Sequence, residues 1–262
     1  MVSTYLVLVW TWTRAAMAYR ASFALMVALG SVIAATDVAV ILVIFANTTS
    51  LAGFDRDEVL FLYGAAGMAF TLCDMFVSNL DRVSQHIKAG TLDAMLIRPV
   101  SPWIQLATDR FTPTRIGRVL QAAIVLGYAL TVLDLDPARL WMVPVMVVTG
   151  IVIFASLWTL GAAAQFVLTD APEVTNAFTY GSGQLTQYPF SAYGRDLVRG
   201  VTYVLPLAFV NWQPGLYVLG RADPFGTPAF MRFLGPAAAV ILALLAGLAW
   251  RQGLRHYRST GS

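Results

Sequence analysis

Long apolar runs alternate with short polar stretches along this chain, and the run lengths predict most of its architecture. Several windows of about twenty residues contain almost no charge, which is the length a helix needs to cross roughly 30 Å of hydrocarbon. Because the runs are continuously apolar rather than alternating, they favour helices over the strands of a transmembrane barrel. The predicted spans cover residues 21–46, 59–80, 116–133, 140–168, 174–192 and 230–250. We therefore predict a single domain, 1–262, that is an all-α integral membrane protein with six transmembrane helices.

The stretch 188–220 permits two arrangements of the fifth span. It is apolar but interrupted by Pro189, Gly194, Pro206 and Pro214. In one arrangement 174–192 crosses the membrane, and the next residues enter and leave from the same side. In the other, 174–192 lies in the interface and 197–219 crosses. Ahead of both, Asp170 with Glu173 three residues later is typical of a capping box at a helix start.

Basic residues are concentrated on one predicted side, as the positive-inside rule requires of the cytoplasmic side. Eleven lie there if both termini are cytoplasmic: Arg14, Arg20, Arg82, Lys88, Arg98, Arg110, Arg115, Arg118, Arg251, Arg255 and Arg258. Six lie opposite: Arg56, Arg139, Arg195, Arg199, Arg221 and Arg232. The second arrangement of the fifth span would move Arg195 and Arg199 inside, so charge counting alone slightly favours it.

The longest polar interruption, residues 81–118, has the sequence GTLDAMLIRPVSPW (90–103) at its centre. We expect Gly90 to end the preceding helix and Thr91 to cap a new one. Pro99 disfavours helical backbone at the residue before it, so the new helix should stop after about two turns. Its apolar stripe is formed by Leu92, Met95 and Leu96. The pattern predicts a short amphipathic helix at a membrane edge.

We interpret this short helix as a docking element for another protein. In that interpretation the apolar stripe inserts into a groove of the partner, while Asp93 and Arg98 make polar contacts at the rim. An alternative interpretation is that the stripe rests on lipid headgroups.

The sequence offers little catalytic chemistry. It contains no GxxxxGK[ST] phosphate loop, and Lys88, its single lysine, lacks the glycines that such a loop needs. The two histidines, His86 and His256, form no metal-binding motif, and the lone Cys73 lies in an apolar run. We expect no catalytic residue, no metal site and no nucleic-acid partner. Energy for any transport would come from a partner or from an ion gradient.

Two carboxylates fall inside predicted spans, Asp37 in the first and Asp74 near the cytoplasmic end of the second. A charge in the bilayer is costly, so such residues usually face a cavity or a partner. One hypothesis places both on a substrate path. In a competing hypothesis they relay protons in a secondary transporter, and in the plainest interpretation they only bond to a neighbouring helix or to the interface.

Three stretches, together with the length and the span count, make the chain resemble the type-2 permease family of ATP-binding-cassette exporters, in its roughly 260-residue bacterial branch. They are GTLDAMLIRPVSPW (90–103), YPFSAYGRDLVRGVTYVLPLAFVNWQPGLYVLG (188–220) and HYRSTGS (256–262). The resemblance implies an interfacial N-terminal helix (1–20), a cytoplasmic coupling loop (81–115) and an external re-entrant segment (193–227), which favours 174–192 as the fifth span. It implies a bacterial inner-membrane protein with both termini cytoplasmic.

The same resemblance implies a partner and a function. The permease would dimerise with a second copy or a related permease, and each copy would sit on an ATPase subunit that binds ATP and Mg, while this chain binds no cofactor. It would move a hydrophobic or amphipathic substrate outward. The implied ATPase-coupling residues are Thr91, Leu92, Asp93, Met95, Leu96, Arg98 and Pro99.

Overall fold

The computed structural model describes residues 2–168 and 172–257. Within that part, regular structure is helical apart from one isolated β-bridge, Leu51–Phe54. The α-helices are α1 (Val2–Met17), α2 (Arg20–Asn47), α3 (Arg56–Val77), α4 (Val83–Lys88), α5 (Thr91–Leu96), α6 (Pro102–Thr108), α7 (Ile116–Val132), α8 (Met142–Ala164), α9 (Pro172–Leu185), α10 (Arg195–Tyr203), α11 (Trp212–Val218) and α12 (Gly235–His256). The expected cap at Asp170 and the last five residues of the HYRSTGS ending lie outside the described residues.

Five helical stretches are long and apolar enough to cross a membrane. They are Arg20–Asn47, Arg56–Lys88, Pro113–Val132, Pro137–Ala164 and Gly235–His256. These coincide with the first, second, third, fourth and sixth predicted spans, and the protein is a multi-pass, all-helical membrane protein. The second stretch runs further than predicted, because a 3₁₀ turn at Ser78–Arg82 continues α3 into α4.

Helix α3 lies at the centre of the fold, and small residues let its neighbours approach closely. A side chain added at Gly64 would stand 2.7 Å from the backbone nitrogen of Leu126 on α7. On the other side, a side chain at Gly150 of α8 would meet Ala69 of α3 at 2.7 Å. Close backbone contact of this kind drives helix association where no hydrophobic effect operates between helices. Packing of α7 and α8 on α3 therefore fixes the position of the loops at both ends.

The two ends of the helix bundle differ. At one, which we call the loop end, Arg221 donates two hydrogen bonds of 2.7 Å to the buried Glu58 at the start of α3. This hydrogen-bonded pair raises the pKa of Arg221 above its ordinary value. Arg139, in the turn between α7 and α8, donates to the carbonyl of Tyr217. The opposite end, which contains α4, α5 and α6, we call the elbow end.

The predicted fifth span, 174–192, is helical only in its first part. Helix α9 has 14 residues, about 21 Å of rise, and ends at Leu185, four residues before Pro189. The segment nevertheless runs between the two ends of the molecule. The Tyr180 hydroxyl donates to Asp81 near the elbow end, and the Ser191 hydroxyl donates to the carbonyl of Ala52 at the loop end.

The stretch 197–219 does not form one continuous helix. It breaks into the end of α10, a 3₁₀ turn (Leu207–Phe209) and α11. Tyr203, at the end of α10, lies beside Leu245 in the middle of α12, so α10 leads into the body of the bundle. The chain then returns through α11 to Gly220, which lies against Arg139 at the loop end. Both termini of this segment therefore lie at the same end.

Candidate functional site

The segment that connects α3 to α7, which we call the elbow (residues 78–115), is a chain of short helices. Gly90 adopts the left-handed conformation, with φ +67°, and separates α4 from α5 as its sequence position predicts. The predicted short helix is α5, six residues long, and it ends before Pro99. Thr91 differs from the prediction, because it begins the helix and its hydroxyl pairs with the ring of His86 at 2.9 Å instead of capping.

Two of the three residues in the apolar stripe of α5 face the chain's own core. Leu92 is completely buried, and Met95 is partly buried against the same core. Leu92 therefore presents no side-chain surface to the exterior in this structure, and its insertion into a partner stays a prediction. A two-turn helix has to cover one face to stay folded, and here the strongest apolar positions do so against the elbow itself.

The tip of α5 carries the exposed apolar surface. Leu96 is 39% exposed and Ile97, which the sequence analysis passed over, is 86% exposed. Arg98 and Pro99 follow them and are also exposed. The exposure of Ile97 could have been predicted from its position. It follows the apolar stripe and precedes Arg98 and Pro99, where the helix ends and its repeat no longer places side chains against the core. The exposed group is therefore Leu96, Ile97, Arg98 and Pro99, which we call the tip.

Gln105 of α6 holds the tip in place. Its side chain is buried and donates hydrogen bonds of 2.8 Å to the carbonyl of Met95 and 2.9 Å to the carbonyl of Val100. These two carbonyls flank the tip. The last carbonyls of a helix have no intrahelical partners. The Gln105 amide therefore pairs with one carbonyl at the end of α5 and with another in the turn that follows.

A second clamp involves His86, which lies between Thr91 and Asp109. The His86 Nε2 atom lies 3.3 Å from Asp109 Oδ2. This hydrogen bond is the main cause that lowers the pKa of Asp109 below its ordinary value. A lowered carboxylate pKa stabilises the fold at all pH values above the ordinary Asp range, and the contribution is lost only as the pH falls through the lowered pKa.

Buried contacts join the elbow to the membrane helices. Gln165, just after α8, accepts a 2.8 Å hydrogen bond from the Ser84 backbone. Trp103 donates to Thr159 of α8 at 3.1 Å. Within the elbow, Asn79 donates to the carbonyl of Ala107 at 3.2 Å. The first two contacts connect the elbow to the C-terminal part of α8.

Asp74 belongs to this joint. Its side chain is 2% exposed and lies 3.2 Å from Arg115 and 3.7 Å from Arg118. Arg115 also donates to the Asp74 carbonyl at 2.5 Å and to the hydroxyl of Ser78. The carboxylate thus links α3 to the start of α7, and two arginines hold its charge.

Asp37 lies in a different place. It lines a cavity of about 210 Å³ between α2, α3, α7 and α9, which we call the midplane cavity. The polar side chains around it are Asp37, Tyr63, Thr71, Arg118, Gln121, Gln184 and Gln187. Gln121 donates to the Tyr63 hydroxyl at 3.3 Å. Asp74 is not among the lining residues, so the structure does not bring the two predicted carboxylates together, although Arg118 reaches both regions.

Sequence reasoning missed most of this cavity. The sequence signal for it was the spacing of polar residues inside apolar runs: Arg118 and Gln121 are three residues apart, as are Gln184 and Gln187. Arg118 and Gln121 share a face of α7, whereas Gln187 lies just beyond the end of α9. Within the residues that the structure describes, no group of three His, Cys, Asp or Glu side chains could hold a metal ion.

The different surroundings of the two carboxylates predict different effects of neutralising them. Asp74→Asn should lower the free energy of unfolding by about 1–3 kcal/mol, because two arginines lose their buried counter-charge. Asp37→Asn should change it little, since Asp37 forms no ion pair within the described residues. Thermal unfolding of the purified variants in one detergent measures both. A melting temperature that falls more for Asp37→Asn would contradict this assignment.

Comparison with known proteins gives one match. The profile of the ABC-2 family transporter proteins matches residues 31–261 of the 262-residue chain. No curated protein and no solved structure matches significantly. The matched region begins within α2 and contains the other four helical stretches of spanning length, the elbow and the segment between α9 and α12. The resemblance inferred from the sequence is therefore confirmed, and this chain belongs to the ABC-2 family of transporter proteins.

Proposed function

We propose that this chain is the permease subunit of an ATP-binding-cassette exporter, and that a separate ATPase subunit drives it. The observation that carries the proposal is the tip, an exposed apolar group that buried hydrogen bonds hold at the end of the elbow in a member of the ABC-2 transporter family. Exposed apolar side chains next to a cation are typical of a protein–protein contact. The sequence has no phosphate loop of its own, so ATP and Mg would bind to the partner.

The proposed contact differs from the one expected from sequence. Leu96 and Ile97 enter the groove of the ATPase, with Thr91 and Arg98 as polar neighbours, while Leu92 and Met95 hold α5 on the permease. Asp93 is half-buried near the C-terminal end of α12. There the burial of Tyr257 and, secondarily, its interaction with the Asp93 side chain raise the pKa of Tyr257. Pro99 ends the helix, and its restricted backbone keeps the tip in one conformation when the ATPase exerts force on it.

The proposed membrane arrangement has six spans, with the elbow and both termini on the cytoplasmic side of a bacterial inner membrane. Its support is that five helices have spanning length and that 172–192 runs between the two ends of the molecule. Residues 193–227 leave and rejoin the loop end, as an external re-entrant segment would. Helix α1 exposes Trp10 and lies beside α3 through a hydrogen bond from Tyr5, as an interfacial helix would.

The midplane cavity is the proposed substrate path. It offers a carboxylate, a phenol and amides to the polar part of an amphipathic substrate. Helix α2, which forms one wall, buries only Ala34 and Ile41 along its described length, and its apolar surface is therefore available to a second permease copy. Outward movement would follow when ATPase closure displaces the elbow and α8 with it. This proposal predicts that Asp37→Asn changes the rate of substrate transport and leaves the ATPase bound.

A proton-coupled transporter that uses Asp37 and Asp74 is the alternative. The arrangement disfavours it, because the ion pairs of Asp74 with Arg115 and Arg118 connect α3 to α7, which is a structural role for this carboxylate. Asp74 is also absent from the lining of the midplane cavity, which contains Asp37.

The tip predicts a specific effect on assembly. Changing Leu96 and Ile97 together to Asp should leave the permease folded in the membrane but reduce its capture of a co-expressed ATP-binding-cassette ATPase by about two orders of magnitude or more. Each apolar side chain buried at the contact contributes roughly 1.5–3 kcal/mol. Affinity co-purification from membranes, with melting temperature as the folding check, measures this effect.

The matched control is Leu92→Ala. Because Leu92 is buried within the permease, its truncation should cost about 2–5 kcal/mol of stability without specifically removing the ATPase from the protein that remains folded. Undiminished ATPase capture and ATP-dependent transport by the Leu96→Asp, Ile97→Asp variant would rule out the tip as the docking element. Transport driven by a proton gradient without ATP would favour the alternative function.

The arrangement of the loop end predicts a labelling pattern. In a background where the buried Cys73 is replaced by Ala, Gly194→Cys and Ala222→Cys should both react with an impermeant thiol reagent applied from outside. The exposed Ala89→Cys at the elbow should react only after the membrane is permeabilised. Position 194 has free space for a side chain, and Ala222 is exposed. Reaction of position 194 from the cytoplasm alone would show that 197–219 crosses the membrane instead.

A further inference from the structure

Two adjoining cavities lie where α10 meets the body of the protein near the loop end. The first, about 300 Å³, has a mixed lining whose members include Arg195, Arg199, Trp212, Gln213, Asp223 and Thr227. The second, about 260 Å³, has a mainly apolar lining that includes Val204, Pro206, Phe209, Ile241, Leu242 and Leu245. Thr202 and Tyr203 line both cavities. We call the first the head pocket and the second the tail groove.

The head pocket contains buried polar atoms without a partner. Among the described residues, the indole nitrogen of Trp212 and the side-chain oxygen of Gln213 accept or donate no hydrogen bond, and the two residues are 1% and 2% exposed. The orientation of the Gln213 amide is fixed, because its nitrogen donates to Asp223 at 2.8 Å and to Thr227 at 3.0 Å. Both residues line the head pocket, so two unpaired polar atoms lie buried in its wall.

The charges of the head pocket favour an anion. Arg195 and Arg199 are one turn apart on the same face of α10. Asp223 is the acidic residue in the lining, and its oxygens already accept hydrogen bonds from Gln213, Thr227 and the Phe225 backbone. Arg199 pairs with Asp196 only at 3.7 Å, in a fully exposed geometry that water and salt weaken. Two guanidinium groups are thus available at the mouth.

The tail groove extends this site in an apolar direction. It follows the apolar face of α12 that carries Ile241 and Leu245. Tyr203 and Val204, at and just after the end of α10, are 66% and 73% exposed. A pocket with two cations beside an apolar groove matches the two parts of one lipid molecule.

We propose that the head pocket and the tail groove together bind one anionic phospholipid of the surrounding bilayer. Its phosphate lies between Arg195 and Arg199, its headgroup occupies the head pocket beside Trp212 and Gln213, and one acyl chain follows α12. The lipid then joins α10 to α12. The proposal requires only that the chain lies in a membrane and does not depend on a partner ATPase.

Native mass spectrometry tests this proposal on the full chain purified in detergent. After exchange into micelles doped with phosphatidylglycerol, the wild type should retain one such lipid per chain, and micelles doped with phosphatidylcholine should give little retention. Arg195→Gln with Arg199→Gln should weaken phosphatidylglycerol retention at least about tenfold, because charge-assisted hydrogen bonds to the phosphate are lost. The matched control, Arg251→Gln with Arg255→Gln, removes two exposed arginines from the elbow end and should change retention little.

Two further measurements separate the possible ligands. Ile241→Trp fills the tail groove without altering charge and should also reduce retention. Glycerol phosphate alone, which carries the headgroup without the chains, should not displace the lipid. Retention that is equal in the double Gln variant, equal for phosphatidylcholine, or abolished by glycerol phosphate would each overturn the proposal. Melting temperatures of all variants within a few degrees of wild type ensure that lost retention reflects the site.

Discussion

The proposed function depends on the side-chain amide of Gln105, which holds the tip in place. The chain has to reverse direction between α3 and α7 through helices too short to be stable alone, so each needs its face covered and its terminal carbonyls paired. Leu92 covers the face of α5, and Gln105 pairs the carbonyls of Met95 and Val100 on either side of the tip. The position of the tip is thus set from within the permease before any partner binds.

Ion pairs and hydrogen bonds connect the elbow to the membrane helices. Asp74 with Arg115 fixes α3 to α7, and Gln165 with Ser84 fixes the elbow to α8. At the other end, Glu58 with Arg221 ties the start of α3 to the chain that follows α11. On the proposed function, these contacts are the route by which a displacement of the tip would reach α8.

Much of this fold could be predicted from sequence, and the failures have physical causes. Continuous apolar runs define five spans because bilayer thickness fixes their length. The break at Gly90 was predictable because few residues other than glycine favour positive φ. The surface against which Leu92 packs could not be predicted, because an apolar stripe indicates burial but does not identify the residues that cover it. The end of α9 at Leu185 depends on Thr186, whose carbonyl accepts a hydrogen bond from the distant Asn211. The two carboxylates differ in burial and in the ion pairs that folding gives to Asp74, and neither could be read from the sequence.

The most direct test of the coupling account is site-specific photo-cross-linking in cells that also produce the ATPase. A benzophenone amino acid replaces Ile97 at the tip, or Ala222 at the loop end, and both positions are exposed, so neither replacement disturbs the core. The account predicts an ATPase adduct from position 97 and none from position 222. An assembled complex that gives no adduct from position 97, or gives one only from position 222, would contradict the claim that the tip meets the ATPase.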